Sequence, residues 1–277
     1  MKSILIKTYK KIRFIIYSIL KISLNKSELQ GELNYFTFLK FKYSYIMDLP
    51  FNVGRTNRGL NFDNNEYVFT GLVKDLVNRK NKSEIKRNLF QEFKSYKNLK
   101  VLDINEYMNN SILKSFPIWN MFAPWEKIDK SNLDLDYLKR FYKNRQEHKL
   151  NFESENPNEI LKKIYSKQSA LSQLNQYENL YKKIKKEGYV NDYKNLPTAV
   201  ILIDQEKWVW MIQSGNHRAY LKKEMGDSFI KCEILDIIKL EKMNKCYNVK
   251  NNIFSNKEAI SFFKRVFEGK IVVRGVV

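Results

Sequence analysis

The sequence is poor in the residues that build metal sites and disulfide frameworks. Its 277 residues include two histidines, His148 and His217, and two cysteines, Cys232 and Cys246. Two cysteines supply neither a disulfide framework nor the spacing of a metal site, which is consistent with a reducing cytosol. Two histidines argue against a histidine-based zinc site. We therefore predict no protein-bound metal centre.

Long apolar runs are also missing, and no acidic residue precedes Glu28. Within residues 1–26, apolar side chains recur at helical spacing with lysines on the opposite side. The longest unbroken apolar run there, Phe14 to Tyr17, is too short to cross a bilayer, and no small-residue cleavage site follows it. We predict a basic amphipathic helix that lies on an anionic membrane surface or packs on the core.

Negative charge is scarce relative to positive charge. Fifty lysines and arginines against thirty acidic residues give a net charge of +20, which favours an anionic partner such as nucleic acid, anionic lipid or a phosphorylated substrate. Apolar residues make up 43% and aromatic residues 14%, as in a globular chain. The length suits one large or two modest domains.

The residues that are present are most informative near 214–223. Apolar runs at 199–203 and 208–212 predict a hairpin, and the segment after it predicts a helix that stops at Gly226. Residues 229–235 alternate as a further strand. We therefore predict that residues 199–235 form, in order, a strand, a turn, a strand, the Gly-Asn-His-Arg segment, a helix and a strand.

A glycine between a strand and a helix lets the backbone approach a ligand closely. The N–H groups of the first helical turn then favour an anion, to which Arg218 can add a bidentate contact and His217 a titratable one. The same pattern also suits a plain turn glycine, Gly215, followed by a surface charge. The flanking strands favour the anion site.

The run Ser214-Gly215-Asn216-His217-Arg218-Ala219-Tyr220 resembles the nucleotide-binding signature of the ParB/sulfiredoxin superfamily. The segment 177–189 resembles the helix and glycine turn that precede the hairpin in that family. The resemblance spans about 100–236 and is specific over 177–235. It implies that nucleotide phosphates are held by Ser214, Gly215, Asn216, His217 and Arg218. Members include CTP-dependent DNA clamps, sulfiredoxins, free-serine kinases and proposed nucleases.

Two departures from the family pattern argue against two of the family's functions. Sulfiredoxins carry a catalytic cysteine where this chain has Asn216, which argues against sulfinic-acid reduction. The DNA clamps carry a helix-turn-helix domain after the nucleotide domain, whereas only about forty residues follow Leu235 here. The chain therefore keeps the nucleotide turn without the DNA-reading module.

Three further sites are candidates. Arg55 and Arg58 lie in a polar loop with two glycines, where they bind an anion or are simply solvated. Arg145 shares a predicted helix face with a histidine and is a third anion candidate. The aromatic and proline-rich segment 116–126 either lines a ligand pocket or packs as a loop. Its carboxylate, Glu126, is a candidate catalytic group.

We predict an α+β fold, with a small mixed β-sheet of the ParB/sulfiredoxin type wrapped by helices. Four regions are expected: the amphipathic helix at 1–26, an accessory region at 27–98, the nucleotide domain with a helical insertion at 99–240, and a helix and strand at 241–277. Local patterns predict a strand at 35–45, helices at 67–78, 80–96 and 160–186, and a capped helix from Ser255 to Glu268.

The favoured function is a nucleotide-dependent phosphotransferase, although enzymatic activity stays an open question. A nucleoside tri- or diphosphate with Mg²⁺ would be the donor, and a phosphorylated or glycan-like small molecule the acceptor. Glu126, Asp103 and Glu178 are candidate bases, and His217 is a candidate contact to the transferring group. A DNA-binding protein or nuclease and a non-catalytic nucleotide-binding protein are the alternatives. The expected location is the cytoplasm or the inner membrane surface.

Overall fold

Five strands form one mixed sheet in the part of the chain that the structure describes. The computed structural model describes residues 45–57, 59–63, 68–97, 123–126, 166–188 and 196–270. In chain order the strands are β1 (Tyr45–Pro50), β2 (Gly54–Arg55), β3 (Thr198–Asp204), β4 (Lys207–Ser214) and β5 (Phe229–Lys239). Their order across the sheet is β1-β5-β3-β4-β2. The β1–β5 and β3–β4 pairs are antiparallel, and the β3–β5 and β2–β4 pairs are parallel.

The β3–β4 hairpin is the centre of the sheet because it is apolar on both faces. Ile201 lies opposite Trp210, and Leu202 lies opposite Val209. All four side chains are buried. β-Branched and aromatic residues suit such a pleated surface, and burial on both faces requires cover on both sides. The two-residue turn contains Gln205 at a φ of 54°, as short hairpin turns require.

Helices cover both faces of the sheet. In chain order they are α1 (Val68–Val77), α2 (Lys82–Lys97), α3 (Lys167–Glu187), α4 (Asn216–Glu224), α5 (Tyr247–Lys250) and α6 (Asn256–Phe267), with 3₁₀ helices at Phe51–Val53 and Leu240–Lys245. Side chains of α1 to α4 share a core cluster with one face, here called the α4 face. Side chains of α6 and of residues 123–126 share a second cluster with the opposite face, here called the α6 face.

Local capping signals fix where two helices begin. The Ser166 hydroxyl accepts a hydrogen bond from the Ser169 N–H and caps α3. Ser255 and Glu258 form a complete capping box at the start of α6, with each side chain bonded to the other residue's N–H. Both devices satisfy donors that a helix start leaves unpaired. The predicted capped helix is confirmed.

The α+β prediction is confirmed, with differences in detail. The helices predicted at 67–78 and 80–96 correspond to α1 and α2. The strand predicted at 35–45 falls outside the described residues except for its last residue, and β1 begins there. β5 is longer than predicted and continues to Lys239. The helix predicted at 1–26 and residues 271–277, where the C-terminal strand of the region 241–277 was expected, also lie outside the described residues.

The region predicted as accessory contributes to the same sheet as the nucleotide domain. β1 extends the sheet beside β5, and β2 extends it beside β4. Among the residues described by the structure, no helix is long and apolar enough to cross a membrane.

Candidate functional site

The Gly215 turn joins β4 to α4. Gly215 has a φ of 83° and a ψ of 22°, a left-handed conformation that glycine adopts without strain. Its carbonyl accepts the first helical hydrogen bond, from the Ala219 N–H at 3.1 Å. Glycine has no side chain to cap a helix, and no side-chain cap is formed here. The N–H groups of the first turn of α4 therefore point away from the helix without the capping oxygen that α3 and α6 have.

The surroundings of this turn leave no room for a side chain at its first position. A Cβ added to Gly215 would stand 2.9 Å from the Cβ of Pro197 and 3.1 Å from Nη2 of Arg218. The backbone conformation and the close packing both require glycine. Pro197 and the Arg218 guanidinium therefore both pack closely on Gly215.

Arg218 lies in the first turn of α4 and folds back toward Gly215. Its side chain is partly buried, and it forms no ion pair within the described part of the chain. The guanidinium is also close enough to the Cys232 thiol to affect it electrostatically. Burial raises the pKa of that thiol strongly, and Arg218 opposes the rise. A partly buried cation with no carboxylate partner is suited to an anionic ligand.

Two hydroxyl groups lie at the mouth of the turn. The Ser214 Oγ and the Thr198 Oγ1 are 2.9 Å apart across the ends of β4 and β3, and the pair is exposed. Thr198 was not among the predicted site residues. The hairpin register could have found it, because Thr198 is the Cα partner of Ser214. The two hydroxyls, the first-turn N–H groups of α4 and Arg218 are therefore the polar groups around this turn.

His217 is positioned by aromatic packing. Its ring lies 4.6 Å from the Tyr177 ring and 6.2 Å from the Phe69 ring, with edge-on geometry in both cases. Tyr177 belongs to α3 and Phe69 to α1, so three helices meet at this histidine. Tyr177 is part of the family-like segment, but neither ring contact was predicted from the sequence. The proposed catalytic role of His217 stays a prediction.

Glu126 lies on the other side of the sheet. Its neighbours Ala123 and Trp125 belong to the α6-face cluster, where Trp125 packs edge-on against Phe262. The Glu126 carboxylate accepts a hydrogen bond from the Ala123 N–H at 3.1 Å. Burial raises the pKa of Glu126 to about 7, against the opposing effect of that hydrogen bond. The structure thus separates Glu126 from His217, which lies on the α4 face.

Glu178, another candidate base, follows Tyr177 on α3. Its carboxylate accepts a hydrogen bond from the Lys82 ammonium at 2.7 Å. The third candidate, Asp103, is outside the described residues. Across the described ranges, no group of three or more His, Cys, Asp or Glu side chains is arranged to hold a metal ion.

The Arg55 guanidinium is hydrogen-bonded to backbone carbonyls within the protein. Its Nε donates to the Val266 carbonyl at 3.0 Å, Nη2 to the Phe267 carbonyl at 2.7 Å and Nη1 to the Gly54 carbonyl at 3.0 Å. The side chain is buried, and burial lowers the pKa of Arg55 to about 10. These bonds tie β2 to the C-terminal end of α6. The other two candidate anion-binding residues, Arg58 and Arg145, lie outside the described residues.

Comparison with known proteins gave no match: no family model, no curated protein and no solved structure is significantly similar to this chain. The resemblance to the ParB/sulfiredoxin superfamily therefore depends on the motif residues alone. The geometry of the Gly215 turn is the observation from which a function can be argued.

Proposed function

We propose that this chain binds the phosphate groups of a nucleotide at the Gly215 turn and transfers a phosphoryl group to a small-molecule or glycan acceptor. The observation that carries the proposal is the start of α4, which has no side-chain cap and lies beside Arg218, an arginine that forms no ion pair among the described residues. The fold would then be a ParB/sulfiredoxin-type sheet, consistent with the mixed β3–β4–β5 arrangement around α4.

The physical argument for phosphate is one of charge and of hydrogen-bond donors. The first turn of a helix combines several N–H donors with the positive end of the helix dipole. Pro197 packs where a Gly215 side chain would stand, so an anion would bind at the N–H groups that follow this glycine, and the Arg218 guanidinium adds a charged donor beside the turn. The hydroxyls of Ser214 and Thr198 can donate to further phosphate oxygens. Such donors suit a ligand with several anionic oxygens.

The reaction would break the bond between the terminal phosphorus and the oxygen of the leaving nucleotide. A new bond would form from that phosphorus to an acceptor hydroxyl, the shortened nucleotide would leave, and the hydroxyl proton would pass to solvent. Donors held at the turn would neutralise charge on the phosphoryl oxygens, which is the main requirement of phosphoryl transfer. His217 is the titratable side chain in that first turn.

Mg²⁺ would be held mainly by the nucleotide itself. Such ions commonly bind one or two carboxylates together with substrate phosphates. The described residues provide no acidic cluster that would bind the metal alone. When bound with the nucleotide, Mg²⁺ would supply further neutralisation of phosphate charge.

The predicted N-terminal helix extends the proposal to the acceptor and the location. If residues 1–26 lie on an anionic membrane surface, the acceptor would be presented there, as a phosphorylated or glycan-like group. The protein would then be cytoplasmic and peripheral to the inner face of the membrane. This part of the proposal depends on the sequence pattern of that segment.

A non-catalytic nucleotide-binding protein is the second candidate. It is favoured by the positions of the two described candidate bases: Glu126 lies on the opposite face of the sheet, and Glu178 is engaged by Lys82. A nucleotide held at the Gly215 turn would then control a conformation or a partner. Both candidates require nucleotide binding and differ in turnover.

The test is the stability of the purified protein with Mg²⁺ and each of ATP, ADP, CTP and GTP. A ligand at a hundred times its dissociation constant stabilises the folded state by about 2.7 kcal/mol. We expect this effect with at least one nucleotide, and we expect Arg218→Ala to remove it. Arg87→Ala, which removes an exposed arginine from α2, is the matched control and should retain it.

The outcomes separate the candidates. Stabilisation by no nucleotide, or equal stabilisation of wild type and Arg218→Ala, would contradict nucleotide binding at the turn. With binding established, transfer of the labelled terminal phosphate to supplied acceptors or to water supports the phosphotransferase. Binding that persists for hours with acceptors present and without turnover supports the second candidate.

A further inference from the structure

Three helices converge beside the Gly215 turn. α1, α3 and α4 contact one another pairwise. The contact is made by aromatic rings, because Tyr177 of α3 lies 4.6 Å from His217 of α4 and 5.7 Å from Phe69 of α1. We call this meeting point the three-helix junction. It adjoins the proposed phosphate site because His217 is the second residue of α4.

Each helix of the junction carries a buried side-chain oxygen that has no hydrogen-bond partner in the described part of the chain. These atoms are Thr70 Oγ1 on α1, Gln173 Oε1 on α3 and Asn216 Oδ1 on α4. Thr70 is 0% exposed and Gln173 is 3% exposed. The Asn216 oxygen is buried although the residue as a whole is partly exposed. Buried polar atoms are normally hydrogen-bonded, so these three oxygens need an explanation.

The helical spacing places two of the three side chains, Gln173 and Asn216, on the inner faces of their helices. Gln173 lies one turn before Tyr177 on the same face of α3. Asn216 lies four residues before the buried Tyr220, on the inner side of α4. Thr70 is fully buried on α1 and is the residue after Phe69, about 100° further round the helix. The junction reaches the surface at the first turn of α4, where Asn216 and His217 are both partly exposed.

The chemistry of these oxygens defines what they can bind. The amide oxygens of glutamine and asparagine only accept hydrogen bonds, and the threonine hydroxyl can also accept one. A phosphate oxygen cannot satisfy the amide oxygens, because it too is an acceptor. A ligand group that completes the junction must therefore donate hydrogen bonds and must be uncharged or cationic.

We infer that the three-helix junction recognises a hydrogen-bond-donating group of the nucleotide whose phosphates bind at the Gly215 turn. This inference depends on the proposed function, which supplies the nucleotide. The matching chemistry is the exocyclic amino group of adenine or cytosine, or a ribose hydroxyl. Donation to Gln173 and Asn216 would give the protein selectivity for the nucleoside, whereas the turn recognises only phosphate.

The experiment measures dissociation constants, with Mg²⁺ present, for four probes. They are ATP, purine riboside triphosphate (ATP without its amino group), 2′-deoxy-ATP and inorganic tripolyphosphate. The proteins are wild type, Gln173→Met, Thr70→Val and the control Gln168→Met. The first two variants replace a buried polar group by an apolar one of similar shape, and Gln168 is exposed on the same helix as Gln173. If ATP does not bind to wild type, CTP and its counterpart without the amino group replace the purine pair.

We expect removal of the amino group or of the 2′-hydroxyl to weaken binding to wild type about tenfold, as for the loss of one hydrogen bond to a buried acceptor. Gln173→Met should bind all three nucleotides with the weakened affinity, and Thr70→Val should reduce the difference. Gln168→Met should behave like wild type. Whichever probe loses affinity identifies the donating group.

Equal binding of the three nucleotides to wild type would overturn the inference. An unchanged preference in both Gln173→Met and Thr70→Val would overturn it as well. Tripolyphosphate keeps this result separate from the proposed function, because its binding tests the Gly215 turn alone. If tripolyphosphate binds wild type and Gln173→Met equally, the turn is intact and the variant is folded. If neither tripolyphosphate nor any nucleotide binds wild type, the proposed function fails and this inference with it.

Discussion

Two helix ends in this molecule have an arginine beside them, and the arginines are used differently. At the C-terminal end of α6, Arg55 donates to two carbonyls of the helix and to the Gly54 carbonyl. At the N-terminal end of α4, Arg218 lies beside Gly215 and has no ion pair in the described ranges. Carbonyls at the end of α6 are hydrogen-bonded to a side chain of the protein, whereas the N–H groups at the start of α4 have no side-chain cap.

The start of α6 sharpens the comparison. Its donors are satisfied by the Ser255–Glu258 capping box, whereas α4 begins at a glycine that offers no cap. The same fold therefore contains a helix completed at both ends and one whose first turn is bare. Because α6 has a complete capping box and α4 has no side-chain cap, we interpret the start of α4 as the proposed phosphate-binding site.

Removing the Arg55 hydrogen bonds at the C-terminal end of α6 should have the largest effect on stability. Arg55→Ala removes a buried charged donor, and hydrogen bonds to charged groups contribute about 1.5–3 kcal/mol each. We expect a loss of about 4 kcal/mol in the free energy of unfolding, measured by urea denaturation. The same change at the start of α4, Arg218→Ala, should cost less than about 1 kcal/mol. Equal losses would show that the two arginines are structurally equivalent.

The partly buried Glu126 carboxyl on the α6 face should make stability depend on pH. The folded pKa of Glu126 is raised to about 7, so the folded state holds this proton more tightly than the unfolded state. The contribution of Glu126 to stability should be complete below about pH 4.5 and should be lost as the pH rises to 7, by up to about 3 kcal/mol.

Glu126→Gln tests this pH dependence. The variant should resemble wild type near pH 4.5 and be more stable at pH 8, because it carries no ionisable group at that position. Urea denaturation at both pH values measures the difference, and the exposed Glu187→Gln is the control. A variant that is less stable than wild type at pH 8 would mean that the Glu126 carboxylate is stabilised in the fold.

A side chain at Gly215 should strain the backbone at the start of α4 and block the proposed phosphate site there. A left-handed φ costs a residue with a Cβ about 1–2 kcal/mol, and the new Cβ would also crowd Pro197. We expect Gly215→Ala to lose about 2 kcal/mol of stability and all stabilisation by nucleotide. Gly226→Ala is a matched control, because Gly226 has a φ of 95° and nothing within 4 Å of its added Cβ. A smaller loss for Gly215→Ala than for this control would contradict the close packing described above.

Removing the α6 cap should have the smallest effect. Ser255→Ala deletes the hydroxyl that accepts from the Glu258 N–H, which typically costs about 1 kcal/mol. Thermal unfolding should detect the shift, and nucleotide binding should not change. A change in nucleotide affinity would show that the two faces of the sheet are energetically coupled.

Local signals in the sequence predicted the elements that build the site. The hairpin, the start and stop of α4 and the capping box all depend on residues within a few positions of one another. The nearby Gly215 and Arg218 were also identified from local pattern, although the sequence did not reveal that Gly215 packs against Pro197. Such features are accessible because caps, turns and periodicity are local properties.

The misplaced residues are those whose surroundings come from distant parts of the chain. Arg55 was grouped with anion-binding residues, but its helix partners are more than two hundred positions away. Glu126 was one of three candidate bases for a site that includes His217, yet its neighbours and those of His217 lie on opposite faces of the sheet. Which face a segment packs on is decided by tertiary contacts that no local pattern encodes. For the same reason, no local pattern indicated that β1 and β2 join the central sheet.

The sheet has very different edges, and this affects how the protein behaves at high concentration. Within the described strands, β2 forms one edge and is only two residues long, so it offers few backbone groups to another molecule. β1 forms the other edge, where Pro50 has no N–H to donate and Asp48 brings a charge that is bonded to Lys231. Short, charged and proline-containing edges resist the addition of a foreign strand. We expect this part of the chain to resist self-association through sheet extension, even though its central strands are strongly apolar.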